Sequence, residues 1–229
     1  MSTCSVTCCS GAVAIGLACR ELAQGDIDVA FATGHDSSLQ APIYRMYRDA
    51  GLLSQERDDA RRAIRPYAAH SGNAFGEGAV TLVLETAEHA ALRGAAPLAT
   101  IRGWKLGNNG GHPLHVDPVG SRVARLAGDV LAMEAVFGDR APEVPLLSVK
   151  PVYGHLFGAS SALNVAAAVL MLHHGWLAPT LNVDRAAGPG QIDHLAGGGM
   201  HSHAGAGLAI SYGIGGHNTV TLIGAVGAT

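Results

Sequence analysis

Two helical stretches made largely of small residues constrain the fold more than any other feature. The first, SGAVAIGLACRELAQG, distributes Ala12, Ala14, Gly16 and Ala18 around its turns. A helix over 10–23 with so little side-chain bulk suits burial on most sides, and Gly25 closes it. The second, HLFGASSALNVAAAVLMLHHG, predicts a long, mostly buried helix over 155–175 that ends at Gly175. Around them lie β-rich runs at 27–34, 79–86, 98–107 and 145–150. Two more, 208–216 and 219–226, flank a glycine turn and predict a hairpin. A shorter helix is expected over 87–93 and another over 120–137, with loops at 54–65 and 108–118 and an irregular region over 184–207. Strands alternating with buried helices define an α/β class in which helices cover the sheets.

Composition narrows the functions. Of the 229 residues, 48% are hydrophobic and only 14% charged, so the chain has much interior and little solvated surface of its own. Burial against a partner subunit satisfies such a balance. The formal charge of −3, without a basic block interleaved with aromatics, argues against a nucleic-acid partner. The N-terminus shows no basic region followed by an apolar stretch, and the longest apolar run, 165–172, is too short to span a bilayer. Cys4, Cys8 and Cys9 crowd the chain start, and a vicinal pair such as Cys8–Cys9 reaches disulfide geometry only with strain. A reduced, cytoplasmic protein without membrane attachment is expected.

Three stretches carry chemistry. In VTCCSG, cysteines stand at a helix entrance, where the dipole favours a thiolate, although free cysteines are more often small packing residues. In SVKPVYGH, Lys150 ends a predicted strand and His155 opens a predicted helix, a place that keeps an imidazole neutral and able to donate to an oxyanion. A capping histidine is the alternative. In ISYGIGGHN, a strand runs into glycines that permit positive φ and expose backbone N–H groups, or simply make a turn. The twelve histidines include the pairs His173/His174, His201/His203 and His112/His115, but no Cys-x-x-Cys accompanies them. No metal site is expected, and no dinucleotide or Walker-type loop is present.

Taken in order, these stretches resemble the β-ketoacyl synthases of the thiolase superfamily. Thr7-Cys8-Cys9-Ser10 resembles the family's T-A-C-S, which implies Cys9 as nucleophile and leaves Cys4, Cys8 and Cys19 as packing residues. RPYAAHSGNAFGEGAVTLVLE resembles the R-P-F-D…GEGAG block and implies Glu77 as its structural acid. SVKPVYGH resembles S-K-S-x-x-G-H, implying a supporting role for Lys150 and catalysis by His155. SYGIGGHN resembles F-G-F-G-G-x-N, implying substrate or oxyanion contacts from Tyr212, Gly213, Gly215 and Gly216, with Tyr212 at a gating position. APTLNVD over 178–184 resembles the segment after the family's long helix.

The resemblance implies a thiolase-like α-β-α-β-α layered fold with mixed sheets, here incomplete, in one truncated domain. Residues 1–90 would hold the remainder of the N-terminal half, and 91–229 the C-terminal half with an internal deletion near 118–130. Family members carry the cysteine well inside the chain, so most of a half-fold is expected to be missing and an apolar sheet face exposed. The family's H-G-T-G-T motif has no counterpart. Losing one oxyanion donor lowers a rate by about 10²–10³. The implied activity is acyl loading of Cys9 for decarboxylative condensation with a malonyl-carrier thioester, in fatty acid or polyketide synthesis. No bound cofactor is implied, since substrates travel on the phosphopantetheine arm of an acyl carrier protein. A homodimer, or a heterodimer with a ketosynthase subunit, is the expected assembly. The alternatives are a non-catalytic partner resembling a chain-length factor, or a fragment without function.

Overall fold

Helix α1 (Ser10–Gln24) and helix α4 (Ser160–His174) touch through their smallest residues. A Cβ on Gly11 would lie 2.7 Å from the Ala162 Cβ, so only glycine permits this approach. Strand β1 (Val29–Asp36) joins at the same point, where a Cβ on Gly34 would meet Ala162 Cβ and Gly11 Cα at 3.0 Å. The small-residue helices are therefore small in order to come together. Gly25, at φ 82°, ends α1 as expected.

The computed structural model describes residues 1–67, 72–108, 132–183 and 192–227. Its further elements are α2 (Ala41–Asp49), β2 (Gly78–Glu85), α3 (Ala87–Leu92), β3 (Ala99–Asn108), β4 (Trp176–Leu177), β5 (Met200–His201), β6 (Ala206–Tyr212) and β7 (His217–Ala225). A helical turn, Lys150–Tyr153, and a 3₁₀ turn, Phe157–Ala159, precede α4. The predicted helix over 120–137, the deletion near 118–130, His112, His115 and the first part of the glycine-rich region over 184–207 lie wholly or largely outside the described residues.

Strand β7 lies between β3 and β6, while β1 pairs with β2. Helices α1 and α4 fill the space between these two sheets, and Ile15, Ala32, Ala162, Val165, Ala209 and Ile223 form the core there. The result is a central β-α-β sandwich. Every ladder between these strands is antiparallel, where mixed sheets are expected, and parallel pairing is confined to isolated bridges such as Phe75 with His155. The reason is local: the 213–216 turn returns the chain at the same end of the sheet, and so does the excursion between β1 and β2.

Two local expectations change. Residues 145–149 run without a ladder instead of forming a strand; Leu146 N–H donates to Asp193 O, and Ser148 N–H to Thr180 Oγ1. Pro151 supplies no N–H for a ladder and suits a first helical turn, so Lys150 begins a turn of helix. Gly154, at φ 79°, then breaks the chain direction, and α4 starts at Ser160 rather than at His155. By length and composition alone, Phe157–His174 would cross a bilayer, contrary to the expectation for this region. Here it packs against α1 and strands of both sheets as a core helix.

The other face of the β1–β2 ladder is open and carries exposed apolar side chains beside Thr33 and Thr81. Phe31 stands opposite Val83 in register, and the two are 74% and 58% exposed.

Candidate active site

The site begins with a backbone strain. Thr7 has φ 48°, a region a β-branched residue enters only when its surroundings hold it there. Three bonds do so. Ser10 Oγ donates to Thr7 O at 2.7 Å while accepting from Val6 N–H at 2.9 Å, and Thr7 Oγ1 donates to Ile214 O at 3.1 Å. The tight turn sends the two adjacent thiols to different sides. Cys8 Sγ lies 3.3 Å from His155 Nε2. Cys9, at the N-cap of α1 and fully buried, points its sulfur at Ser211 O and His217 O, each 3.5 Å away.

His155 is fixed by backbone and side chain alike. Its N–H donates to Ala74 O at 2.8 Å, and its C=O accepts from Gly76 N–H at 3.1 Å. Glycine is obligatory at this junction, because a Cβ on Gly76 would lie 2.1 Å from Tyr153 O and one on Gly154 2.8 Å from Gly76 N. The ring's Nδ1 is 2.9 Å from Ser160 Oγ, which already accepts from Leu156 N–H at 2.9 Å. Where Ser160 Oγ donates to Nδ1, the ring proton sits on Nε2 and faces Cys8. Burial, reinforced by the charge of Lys150, lowers the His155 pKa to about 3. The imidazole is thus a neutral donor, as expected, but burial rather than a helix dipole is the cause.

The glycine turn supplies the third side. Gly213 N–H closes on His217 O at 2.8 Å, and Gly215 and Gly216 take φ 93° and 76°. A Cβ on Gly213 would be 2.4 Å from Thr7 Oγ1, so the turn lies directly on the thiol-bearing segment. Asn108 Nδ2 donates to Gly215 O at 2.7 Å, and Asn164 Nδ2 donates to Ile210 O and to Ser211 Oγ, both at 3.1 Å. Burial pushes the Cys8 thiol up; Lys150 and the amides of Ile214 and Cys8 pull it back, while Asp36 adds to the rise. Burial raises Cys9 as well, opposed by Thr219. The helix entrance does not leave either sulfur a thiolate at rest.

The structure brings together Cys8, His155, Lys150 and the glycine turn. The hydrogen-bond partners of Cys9 Sγ are Ser211 O and His217 O rather than His155. Glu77 stands apart from the thiols, where its Oε1 accepts from Leu39 N–H at 2.6 Å and Ser37 Oγ at 3.1 Å and so ties down the lead into α2. Tyr212 is half exposed at the end of β6. Sequence reasoning missed Asp36, whose Oδ2 accepts from Gly158 N–H at 3.0 Å and braces the turn before α4. It also missed α2, which brings Tyr47 into an aromatic group with Phe75 and Phe157, and Phe157 lies 4.9 Å from the His155 ring. Pro42 in the first turn and Tyr44/Tyr47 three apart were its visible signals. No group of metal-ligating side chains exists among the described residues.

Two family models match in succession: the β-ketoacyl synthase N-terminal domain over residues 1–90 and its C-terminal domain over 127–184. This chain belongs to the β-ketoacyl synthase family. Among its relatives, 3-oxoacyl-[acyl-carrier-protein] synthase 2 of Rhizobium meliloti is 30% identical over 95% of this chain and 59% of its own length. Among solved structures, a type II polyketide ketosynthase in complex with its acyl-carrier protein superimposes with a TM-score of 0.90, at 23% identity, over 99% of this chain and 63% of that one. The ishigamide ketosynthase/chain length factor gives 0.84 at 24% identity, over 99% and 61%. The fold is thiolase-like, and this chain spans about three-fifths of the length of its relatives.

Proposed function

We propose that this ketosynthase-family chain accepts an acyl group on Cys8 from the phosphopantetheine arm of an acyl carrier protein, as the loading step of fatty acid or polyketide chain extension. One observation carries the reading: a single sulfur, Cys8 Sγ, meets His155 Nε2 at 3.3 Å. Attack by that sulfur on a carrier thioester forms a new C–S bond and breaks the carrier's, and the departing sulfur takes the proton Cys8 gives up. The amides of Ile214 and Cys8, which favour negative charge on the Cys8 sulfur, would donate to the carbonyl oxygen as charge gathers there. In the condensation that follows, malonyl-carrier loses CO₂, its carbanion attacks the acyl carbonyl on Cys8, and the C–S bond breaks as the C–C bond forms. His155, donating through Nε2–H, steadies the enolate oxygen, and Lys150 adds positive potential. No bound cofactor takes part. Residues 1–90 supply the thiol and 91–229 the histidine and glycine turn of one domain.

A second reading, a non-catalytic partner resembling a chain-length factor, is favoured by the open Phe31–Val83 face, which a ketosynthase subunit would cover in a heterodimer; a homodimer would cover it as well. Intact-mass measurement after incubation with an acyl-carrier thioester separates the two readings. The enzyme reading expects one acyl group on the wild type and none on Cys8→Ala. An unmodified wild type under conditions that load another ketosynthase would overturn it.

A further inference from the structure

The mechanism leaves one buried nucleophile unused. Cys9 has no exposed surface and no hydrogen bond to His155, yet its thiol sits against both ends of the glycine turn. Ser211 O lies just before the turn and His217 O just after it, each 3.5 Å from Cys9 Sγ, and the second also accepts from Gly213 N–H. Between those ends is Ile214, whose carbonyl is held by Thr7 Oγ1. The Thr7-Cys8-Cys9 segment therefore grips the turn at three carbonyls, and Cys8 is its one member that faces the histidine instead.

Resting on the acyl-transfer reading of Cys8, we infer that Cys9 is a positioning residue: its S–H holds the glycine turn so that the Ile214 amide faces the oxygen of an acyl group arriving at Cys8. A single S–H proton serves one carbonyl at a time, so the thiol clamps the turn through two weak, alternating bonds. Gly213 supports the same contact, because a Cβ there would stand only 3.4 Å from Cys9 Sγ. Without the clamp, the turn keeps its hairpin but loses its fixed distance to Cys8. An oxyanion donor acts by being in place before charge develops, so a small displacement lowers the rate of acyl transfer selectively.

The test compares two reactions of Cys8 in the full chain. Acyl transfer from an N-acetylcysteamine thioester passes through an oxyanion; alkylation by iodoacetamide does not. Cys9→Ala removes the donor, and Cys9→Ser restores one in nearly the same volume. The expected result is a roughly ten-fold loss of Cys8 acylation in Cys9→Ala, with Cys8 alkylation within two-fold of wild type, and recovery of most of the acylation in Cys9→Ser. Thr7→Val, which releases Ile214 O, should show the same selective loss. If Cys9→Ala acylates like the wild type, or if acylation and alkylation fall together, Cys9 is a packing residue and the inference fails. A wild type that alkylates at Cys8 but takes no acyl group overturns the acyl-transfer reading itself, and the inference with it.

Discussion

The two faces of the β1–β2 ladder follow opposite rules. Inward, Ala32 and Gly34 press on α1 and α4 at contact distances that forbid a larger side chain at Gly34. Outward, Phe31 and Val83 stand side by side with most of their surface uncovered. The inner face leads to a site in which Thr7, Cys9, His155 and Asn164 all have hydrogen-bond partners. The geometry around Cys8 is thus determined from within the chain, whereas the outer surface is left open by it. Substitutions in the first region should therefore act on stability and chemistry together, and those in the second on neither.

The interlocked glycines should give the largest effect. Gly76→Ala forces a Cβ against Tyr153 O, and a loss of about 3 kcal/mol or more is expected, read from the urea midpoint. A wild-type midpoint would break the contrast at its strongest point. Acid comes next. The folded pKa of His155, about 3, lies below its ordinary value, so folding favours the neutral ring. Its contribution is complete above pH ~6.5 and drains away as pH falls toward 3, at ~1.4 kcal/mol per pH unit for one proton. Denaturant midpoints between pH 7 and 4 measure the slope, and His155→Gln should flatten it by that amount. An unchanged slope would mean that the ring is not held neutral.

Asn164→Ala should cost about 1–2 kcal/mol, since it leaves the Ile210 carbonyl without its side-chain donor. Phe31→Thr should be smallest. On the isolated chain the urea midpoint should move by less than about 0.5 kcal/mol, while sedimentation should show weaker self-association. A large loss of stability there would mean that the outer face is part of the core after all.

Much of this arrangement was legible in the residues. The small-residue helices, the Gly25 stop and the closing hairpin follow from pattern and spacing, while the nearness of a thiol, a histidine and a glycine turn is what the family resemblance implies. The choice between Cys8 and Cys9 did not. Both occupy a T-C-C-S stretch, and the strained φ of Thr7 decides which sulfur turns toward His155. That strain is held by Ser10 locally and by Ile214, more than two hundred residues away in sequence. The unladdered course of 145–149 was hidden for a similar reason, because its partners are Asp193 O and a threonine side chain rather than a neighbouring strand. Local propensity cannot report a constraint that arrives from a distant segment.

The central claim is that the two vicinal thiols have separate roles, with Cys8 reacting and Cys9 positioning. All four cysteines fall in the tryptic peptide 1–20, where residue-resolved tandem mass spectrometry can assign an acyl group to one sulfur. After brief exposure of the folded wild type to a substoichiometric acyl thioester, the account predicts the acyl group on Cys8 and none on Cys9. Acylation of Cys9 with Cys8 left free would contradict it.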